Sequence, residues 1–386
     1  MRVSISVGGR FHAFDLALQL LKKGFLGQLI TSYPKLYTKR YGIPPEPVCS
    51  VIGKEVMKRG WDRVPASIRS LWNPDFFINT YFDRRAAKKL TSCDVFVGWA
   101  NQSSRTLQKA KSFGAVTVLE RGSSHIKYQN DVLRAEYERW GVRAPHHLLP
   151  HPRIIEEELR EYEEADYISI PSLFVKRTFL ERGFPESKLI HIPYGVDLSR
   201  FRQIPKTDDV FRVVFAGGMS LRKGVHYLLQ AFSELNLPNS ELLLMGGMSD
   251  EMLPFFKKYE GSYRYIGRVP QSELYKYYSQ GSVFAMMSIE EGLALVQPQA
   301  MACGLPVIAT TNTGAEDIVR DGRDGFIIPI RDITALKEKL IYLYENPEIR
   351  SEMGESAKER VSTGFTWDDY GKRIVEKYEE CLRKKI

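Results

Sequence analysis

Short apolar runs alternate along this chain with stretches of helical period. In the first half, runs at Val3–Val7, Gln28–Thr31, Val95–Gly98, Val116–Leu119, Tyr167–Ile170 and Leu189–Ile192 predict strands, separated by predicted helices at Ala13–Lys23, Ser104–Ser112, Pro152–Ala165 and Leu173–Arg182. The second half repeats the layout. Strands are expected at Phe211–Ala216, Leu242–Met245, Arg264–Ile266, Val283–Met287, Pro306–Ala309 and Gly325–Ile328, with helices at Val225–Leu235, Gln271–Gln280, Val296–Cys303 and Thr334–Tyr344. Strands that are apolar throughout are buried on both faces, and their alternation with helices builds a parallel sheet covered on both sides. Two Rossmann-like α/β domains follow, joined through the polar, turn-rich stretch Val196–Asp209. The acidic run Glu156–Asp166 reads as an exposed helix face, and the row Trp367, Tyr370, Ile374, Tyr378 as the core stripe of a last helix.

A chain of 386 residues, 43% hydrophobic and 26% charged, has room for two such cores. No apolar run has the length of a signal peptide or a membrane span, so a cytosolic protein, or one peripheral to the cytosolic face of a membrane, is expected. The four cysteines form no C-x-x-C pair and have no histidine at ligand spacing, which argues for a reducing compartment and against a metal site. Charge is unevenly spread: residues 1–100 carry a net +9 against +8 for the whole chain. Lys35, Lys39, Arg40, Lys54, Lys58, Arg59, Arg63, Arg69, Arg84, Arg85, Lys88 and Lys89 interleave there with aromatics such as Trp61, Trp72, Phe76, Phe77 and Tyr81. That mixture suits an anionic bilayer or another anionic partner, the alternative being a solvated basic surface over a local aromatic core. No nucleic-acid-binding motif accompanies the charge.

Each half opens with glycines after its first strand. Gly8 and Gly9 precede the first helix without completing G-x-G-x-x-G and without an acidic residue about 20 positions on to hold a ribose, which argues against a dinucleotide dehydrogenase. His12 follows them at the strand's carboxyl end. In the second half, Gly217 and Gly218 lead to Arg222 and Lys223, two adjacent cations entering a helix, a suitable clamp for a pyrophosphate. Glu291 stands on a glycine turn directly before the helix that opens at Val296, where free amides can take an anion and a carboxylate is better used on a sugar. Its neighbour Glu290 reads as solvated.

These pieces, His191–Asp197, Phe215–Phe232, Tyr265–Gln280 and Met287–Thr310, resemble in order and spacing the retaining nucleotide-sugar glycosyltransferases of family 4 (glycosyl transferases group 1). The resemblance is in good register from about Tyr167 to Val319 and looser before it. It implies the GT-B architecture: an acceptor-binding N-terminal domain, 1–197, faces a nucleotide-sugar-binding domain, 198–365, across a cleft, with 366–386 crossing back as a helix. It implies further that Glu291 lies against the donor sugar and that Gly292, Leu293, Ala294, Leu295 and Val296 present amides to sugar and diphosphate. Gly217, Gly218, Arg222, Lys223 and Val269 complete the donor side, with Gly8, Gly9 and His12 on the acceptor side. His125, after the strand Val116–Leu119, takes the place of a histidine that faces the donor sugar. Two positions depart from the pattern. Gln299 stands where the family's second glutamate holds the ribose hydroxyls, and Gly218 where it has a phosphate-binding arginine, with Arg222 at hand to substitute. A glutamine accepts from a hydroxyl without charge assistance, a difference of about 1 kcal/mol.

The expected activity is metal-independent transfer of a hexose, with retention, from a nucleoside diphosphate to a glycan, lipid-linked or otherwise anionic acceptor, and no cofactor. Retention calls for same-face attack or a covalent carboxylate intermediate; the first is favoured. A nucleotide-sugar epimerase or hydrolase, and a sugar-nucleotide binder without turnover, are the alternatives.

Overall fold

The computed structural model describes residues 1–65, 68, 72–144 and 149–385; Arg69 of the basic stretch lies outside them. Two all-parallel sheets form. The first contains β1 (Val3–Val7), β2 (Leu26–Thr31), β3 (Val48–Ser50), β4 (Val95–Trp99), β5 (Val116–Glu120), β6 (Tyr167–Ile170) and β7 (Leu189–His191), in the order β3-β2-β1-β4-β5-β6-β7. The second contains β8 (Phe211–Ala216), β9 (Ser240–Met245), β10 (Arg264–Gly267), β11 (Val283–Met286), β12 (Val307–Thr310) and β13 (Gly325–Ile328), ordered β10-β9-β8-β11-β12-β13. In each sheet the order reverses beside the first strand, between β1 and β4 and between β8 and β11. Loops leaving the carboxyl ends of those pairs diverge and leave a crevice, the place where open α/β sheets bind ligands. Gly8–His12 and Gly217–Lys223 leave from these ends, as does the segment running to Glu291.

Strands β1, β4, β5, β8 and β11 are buried at every position, so even Ser4 and Ser6 of β1 and Thr117 of β5 face no solvent. Helices cover both faces; among the described residues, five longer than a turn were not disclosed by hydrophobic period: Gly53–Asp62, Asp75–Lys89, Ile126–Arg139, Leu253–Lys258 and Pro347–Ser362. The helix Pro152–Glu164 corrects the reading of the acidic run as an exposed face. It buries Glu158 and Glu161, the first against Arg121 at 3.0 Å and the second beneath the amides of Ser103 and Ser104 at 2.6 and 3.0 Å.

Two passes of the chain join the domains side by side. Val196 bridges Thr366, and its amide donates to the Phe365 carbonyl at 2.8 Å. Beyond this crossing the last helix, Trp367–Lys385, packs on the first domain. Lys22 meets Asp368 at 3.1 Å, Lys385 Nζ donates to the Ala115 carbonyl at 2.7 Å, and Tyr370, Ile374 and Tyr378 are buried. Gly371 lets the helix approach Gln19, whose Oε1 lies 2.6 Å from where a Cβ would stand.

Candidate active site

The second domain builds its wall from three segments at the carboxyl ends of β8, β11 and β12. The loop after β8 turns into the helix Val225–Leu235 at Gly224, in the left-handed region at φ +65°, where any Cβ would overlap the Met287 carbonyl. That close packing lets the Ile289 amide donate to the Arg222 carbonyl at 2.8 Å, so the cationic loop and the Glu290–Glu291 segment form one unit. The Glu291 amide donates to Asn312 O at 2.9 Å and that of Ala294 to Thr313 O at 3.3 Å, which fixes the glycine turn. The amides of Gly292, Leu293, Leu295 and Val296 have no hydrogen-bond partner among the described residues. They line a polar strip beside Lys223, whose Nζ forms an ion pair with Glu291 Oε1, and Arg222, whose Nη2 is 3.7 Å from the same oxygen. Gly217, at φ +155°, and Gly218, open on its Cα face, leave space at the head of the loop.

Glu290 is the residue sequence reasoning missed. Instead of being solvated it is fully buried and reaches across the cleft. Its carboxylate accepts from Ser123 Oγ at 2.6 Å, from the Ser124 amide at 2.9 Å and hydroxyl at 2.7 Å, and from Gln129 Nε2 at 3.0 Å, all in the first domain. Arg222 Nε completes the set at 3.0 Å. Burial alone would raise the Glu290 carboxyl; the Arg222 charge and the serine donors outweigh it and bring it down to about 2. Fully buried as it is, the group stays ionised and holds Arg222 in place.

The first domain meets this wall through Gly122–Ser124. A Cβ on Gly292 would overlap the Gly122 carbonyl oxygen, and Ser172 Oγ donates to the Gly292 carbonyl at 2.6 Å, so the walls touch main chain to main chain. His12 lies behind Gly122, buried between the rings of Trp99 and Tyr194, with Nε2 3.1 Å from Glu120 Oε2. Gly8 receives two partners: its amide donates to Gln102 Oε1 at 2.9 Å and its carbonyl accepts from Lys54 Nζ. Gly9 packs on the Phe11 ring. Phe11 holds a φ of +41°, a left-handed conformation that costs a bulky residue energy, and leaves its ring 60% exposed at the cleft.

His125 requires a correction. It does not face Glu291 across the cleft. Its Nδ1 caps the helix Ile126–Arg139 by accepting from the Lys127 amide at 3.2 Å, and its ring packs among Tyr162, Phe179 and Phe184. Burial, reinforced by Arg182 and Arg121, lowers the imidazole to about 3, so it is neutral there. A strand's carboxyl end brings a residue near the cleft without deciding which way its ring turns.

Where the two domains and the crossing meet, a cavity of about 60 Å³ is lined by Arg10, Phe11, Asp15, Gln271, Leu295 and Gln299. Val269 is half-buried in the loop after β10, packed on the second domain's core.

A sequence model of the family described as glycosyl transferases group 1 matches residues 198–360, the segment that contains the cationic loop, Glu291 and Gln299. That segment is a group 1 glycosyltransferase domain. The chain is 27% identical over 241 residues to a GDP-mannose-dependent phosphatidylinositol monomannoside mannosyltransferase of Mycolicibacterium smegmatis, across 55% of its own length and 62% of the relative's. A similar mannosyltransferase of Corynebacterium glutamicum is 26% identical over 235 residues, 55% of this chain and 61% of that relative. The chain thus spans about three-fifths of the curated relatives it matches first. A probable sucrose-phosphate synthase of Thermosipho melanesiensis aligns more widely, at 23% identity over 85% of this chain and 76% of that one. Among solved structures, sucrose-phosphate synthase from Thermosynechococcus elongatus superimposes with a TM-score of 0.76 at 18% identity over the full length of both chains. HepE of Anabaena, in complex with UDP and glucose, gives 0.67 at 14% over 98% of this chain and all of its own. These likenesses establish the GT-B fold, two Rossmann-like domains about a cleft.

Proposed function

We propose that the chain is a retaining, metal-independent hexosyltransferase that moves a sugar from a nucleoside diphosphate to an acceptor held by the first domain. The observation that carries this reading is the convergence of Arg222, Lys223, four unpaired amides and Glu291 at the reversal point of the second sheet. Cleavage of a sugar–diphosphate bond leaves negative charge on the phosphates and builds positive charge at the anomeric carbon. Fixed cations and amides answer the first demand without reorganising at the moment of reaction. Arg222 is preorganised by Glu290, whereas Lys223 exchanges its contact with Glu291 for phosphate, which frees Glu291 to accept from sugar hydroxyls. With Glu291 on the sugar and the acceptor entering from the Gly8–His12 side, attack on the face that the diphosphate leaves accounts for retention. No residue of the first wall supplies a carboxylate nucleophile in this reading: Glu120 is engaged by His12 at 3.1 Å.

The test is release of nucleoside diphosphate from a panel of nucleotide sugars, with and without membrane lipids or glycans. Release that depends on acceptor supports transfer; release without one supports hydrolysis; binding without release supports a sugar-nucleotide binder. Glu291→Ala is expected to lower turnover about a hundredfold or more, and full turnover in that variant would overturn the site assignment.

The acceptor is read from the first domain's charge. Arg84, Arg85, Lys88, Arg105 and Lys109 line an open groove of about 1070 Å³, and among the described residues none of them has a carboxylate within 4.0 Å. Beside it Ile52, Val56, Trp72 and Phe77 are 46%, 65%, 48% and 50% exposed. Apolar side chains next to unpaired cations fit a lipid-linked acceptor in an anionic membrane surface. Among the described residues no helix is long and apolar enough to cross a membrane.

A further inference from the structure

The cavity at the domain crossing holds two polar side chains from opposite domains, neither of which has an ion-pair partner or a hydrogen bond to another side chain among the described residues. Gln299 is 7% exposed and its amide group makes no hydrogen bond with a described residue. Asp15, in the first turn of the helix Ala13–Lys22, lines the same cavity, and no cation among the described residues lies within 4.0 Å of its carboxyl. The two arginines beside it are engaged elsewhere: Arg10 Nη1 donates to Tyr41 Oη at 2.9 Å, and Arg200 Nε meets Asp197 at 2.9 Å. Asp15 also borders an adjoining cavity of about 430 Å³ that shares Tyr41, Asp197 and Arg200, so there is room in front of it for more than water.

An acceptor-only carboxylate and an amide facing one cavity are suited to a pair of neighbouring hydroxyls. We propose that Asp15 supplies, from across the cleft, the charged acceptor that position 299 lacks: it takes a hydrogen bond from one hydroxyl of the donor's ribose while Gln299 takes the other. The proposal rests on the nucleotide-sugar reading and deepens it. It also makes nucleotide recognition a property of both domains, because Asp15 belongs to the first and Gln299 to the second.

The experiment is calorimetric titration of the full chain with uridine and guanosine diphosphates and with their 2′-deoxy and 3′-deoxy forms. It is run at pH 8, above the value of about 6 to which burial pushes the Asp15 carboxyl. The wild-type chain is expected to bind the preferred ribonucleotide about tenfold more tightly than at least one deoxy form. Asp15→Asn should abolish that preference while leaving deoxynucleotide affinity unchanged, and adding Gln299→Glu to Asp15→Asn should restore it. A purely structural role for Asp15 would weaken all the ligands together and lower the melting temperature. An unchanged ribo-to-deoxy ratio in Asp15→Asn, or equal weakening of every ligand, overturns the proposal. If the wild-type chain binds neither diphosphate in any form, the nucleotide-sugar reading itself falls and the proposal falls with it. The Gln299→Glu single variant gives a check that leaves Asp15 intact: its preference for the ribonucleotide should rise, and no change counts against a ribose at this cavity.

Discussion

Glu290 shows how much one buried carboxylate can carry. Five donor atoms from Ser123, Ser124, Gln129 and Arg222 surround it, so the group that joins the domains also aims the arginine expected to meet the diphosphate. Because its folded carboxyl sits at about 2 against an ordinary 4.5, the stability it contributes is fully present above pH 4.5 and is lost as pH falls toward 2. The contribution is on the order of 3 kcal/mol. Glu290→Gln keeps the shape and removes the charge, leaving Arg222 without its counter-ion, at a cost of about 3 kcal/mol. Denaturant titrations of wild type and variant from pH 6 to pH 2.5 should show the gap between them closing with acid. A gap independent of pH would mean that the charge is not what holds the contact. Nothing beside Glu290 in the sequence marks it, since its first-domain donors lie more than 160 positions away. Glu291, by contrast, was legible from the glycine turn and helix start on either side of it.

At the scale of elements, the helix Ile126–Arg139 is the main structural bearing between the domains. Glu136 accepts from Tyr227 Oη at 2.7 Å and Arg331 Nε at 2.6 Å and faces His226 Nε2 at 3.1 Å. Tyr137 Oη donates to Glu251 at 2.8 Å, and the other oxygen of Glu251 accepts from the amide of Leu221, next to Arg222. Burial would raise the Glu136 carboxyl, but the hydrogen bonds from His226, Tyr227 and Arg331 hold it at about 2. Glu136→Ala would leave Arg331 and His226 unpaired at a buried interface and favour an opened cleft. The expected result is a larger radius of gyration by X-ray scattering and a donor KM raised about tenfold, with kcat changed less. Sequence pattern gave little sign of this helix because its buried face is thin: Ile126, Leu133 and Tyr137 are spaced by seven and four, and the charged Glu136 is buried beside them. Most strands were legible for the opposite reason: β4, β11 and β13 are apolar over their whole length. The three-residue edge strand Val48–Ser50 is too short and too polar to stand out.

For the molecule as a whole, the uneven charge becomes a statement about orientation. On the helix Asp75–Lys89, Phe77, Tyr81, Arg84 and Lys88 fall at spacings of three and four, so one stripe runs from an exposed aromatic to exposed cations. A chain docked by that stripe would place its rings at headgroup level and its groove against anionic lipid. Sedimentation with vesicles rich in phosphatidylserine should retain the wild-type chain at low salt. Joint replacement of Arg84, Lys88 and Lys109 by glutamate should release it, with an effect on the order of 1 kcal/mol per cation. A chain that never sediments with such vesicles would sink the membrane contact while leaving the donor site untouched.

The returning helix Trp367–Lys385 carries a consequence for how the molecule is made. The buried row Tyr370, Ile374 and Tyr378 completes a core begun by the earliest residues, and Gly371 seats against Gln19. On the ribosome the second domain has all its strands before that helix emerges, whereas the first must wait with an uncovered apolar face until Trp367–Lys385 has been translated. Native contacts between such distant segments form slowly. The domain built from the earlier strands therefore completes its core after the one that follows it, and it depends on its neighbour to deliver the helix Trp367–Lys385.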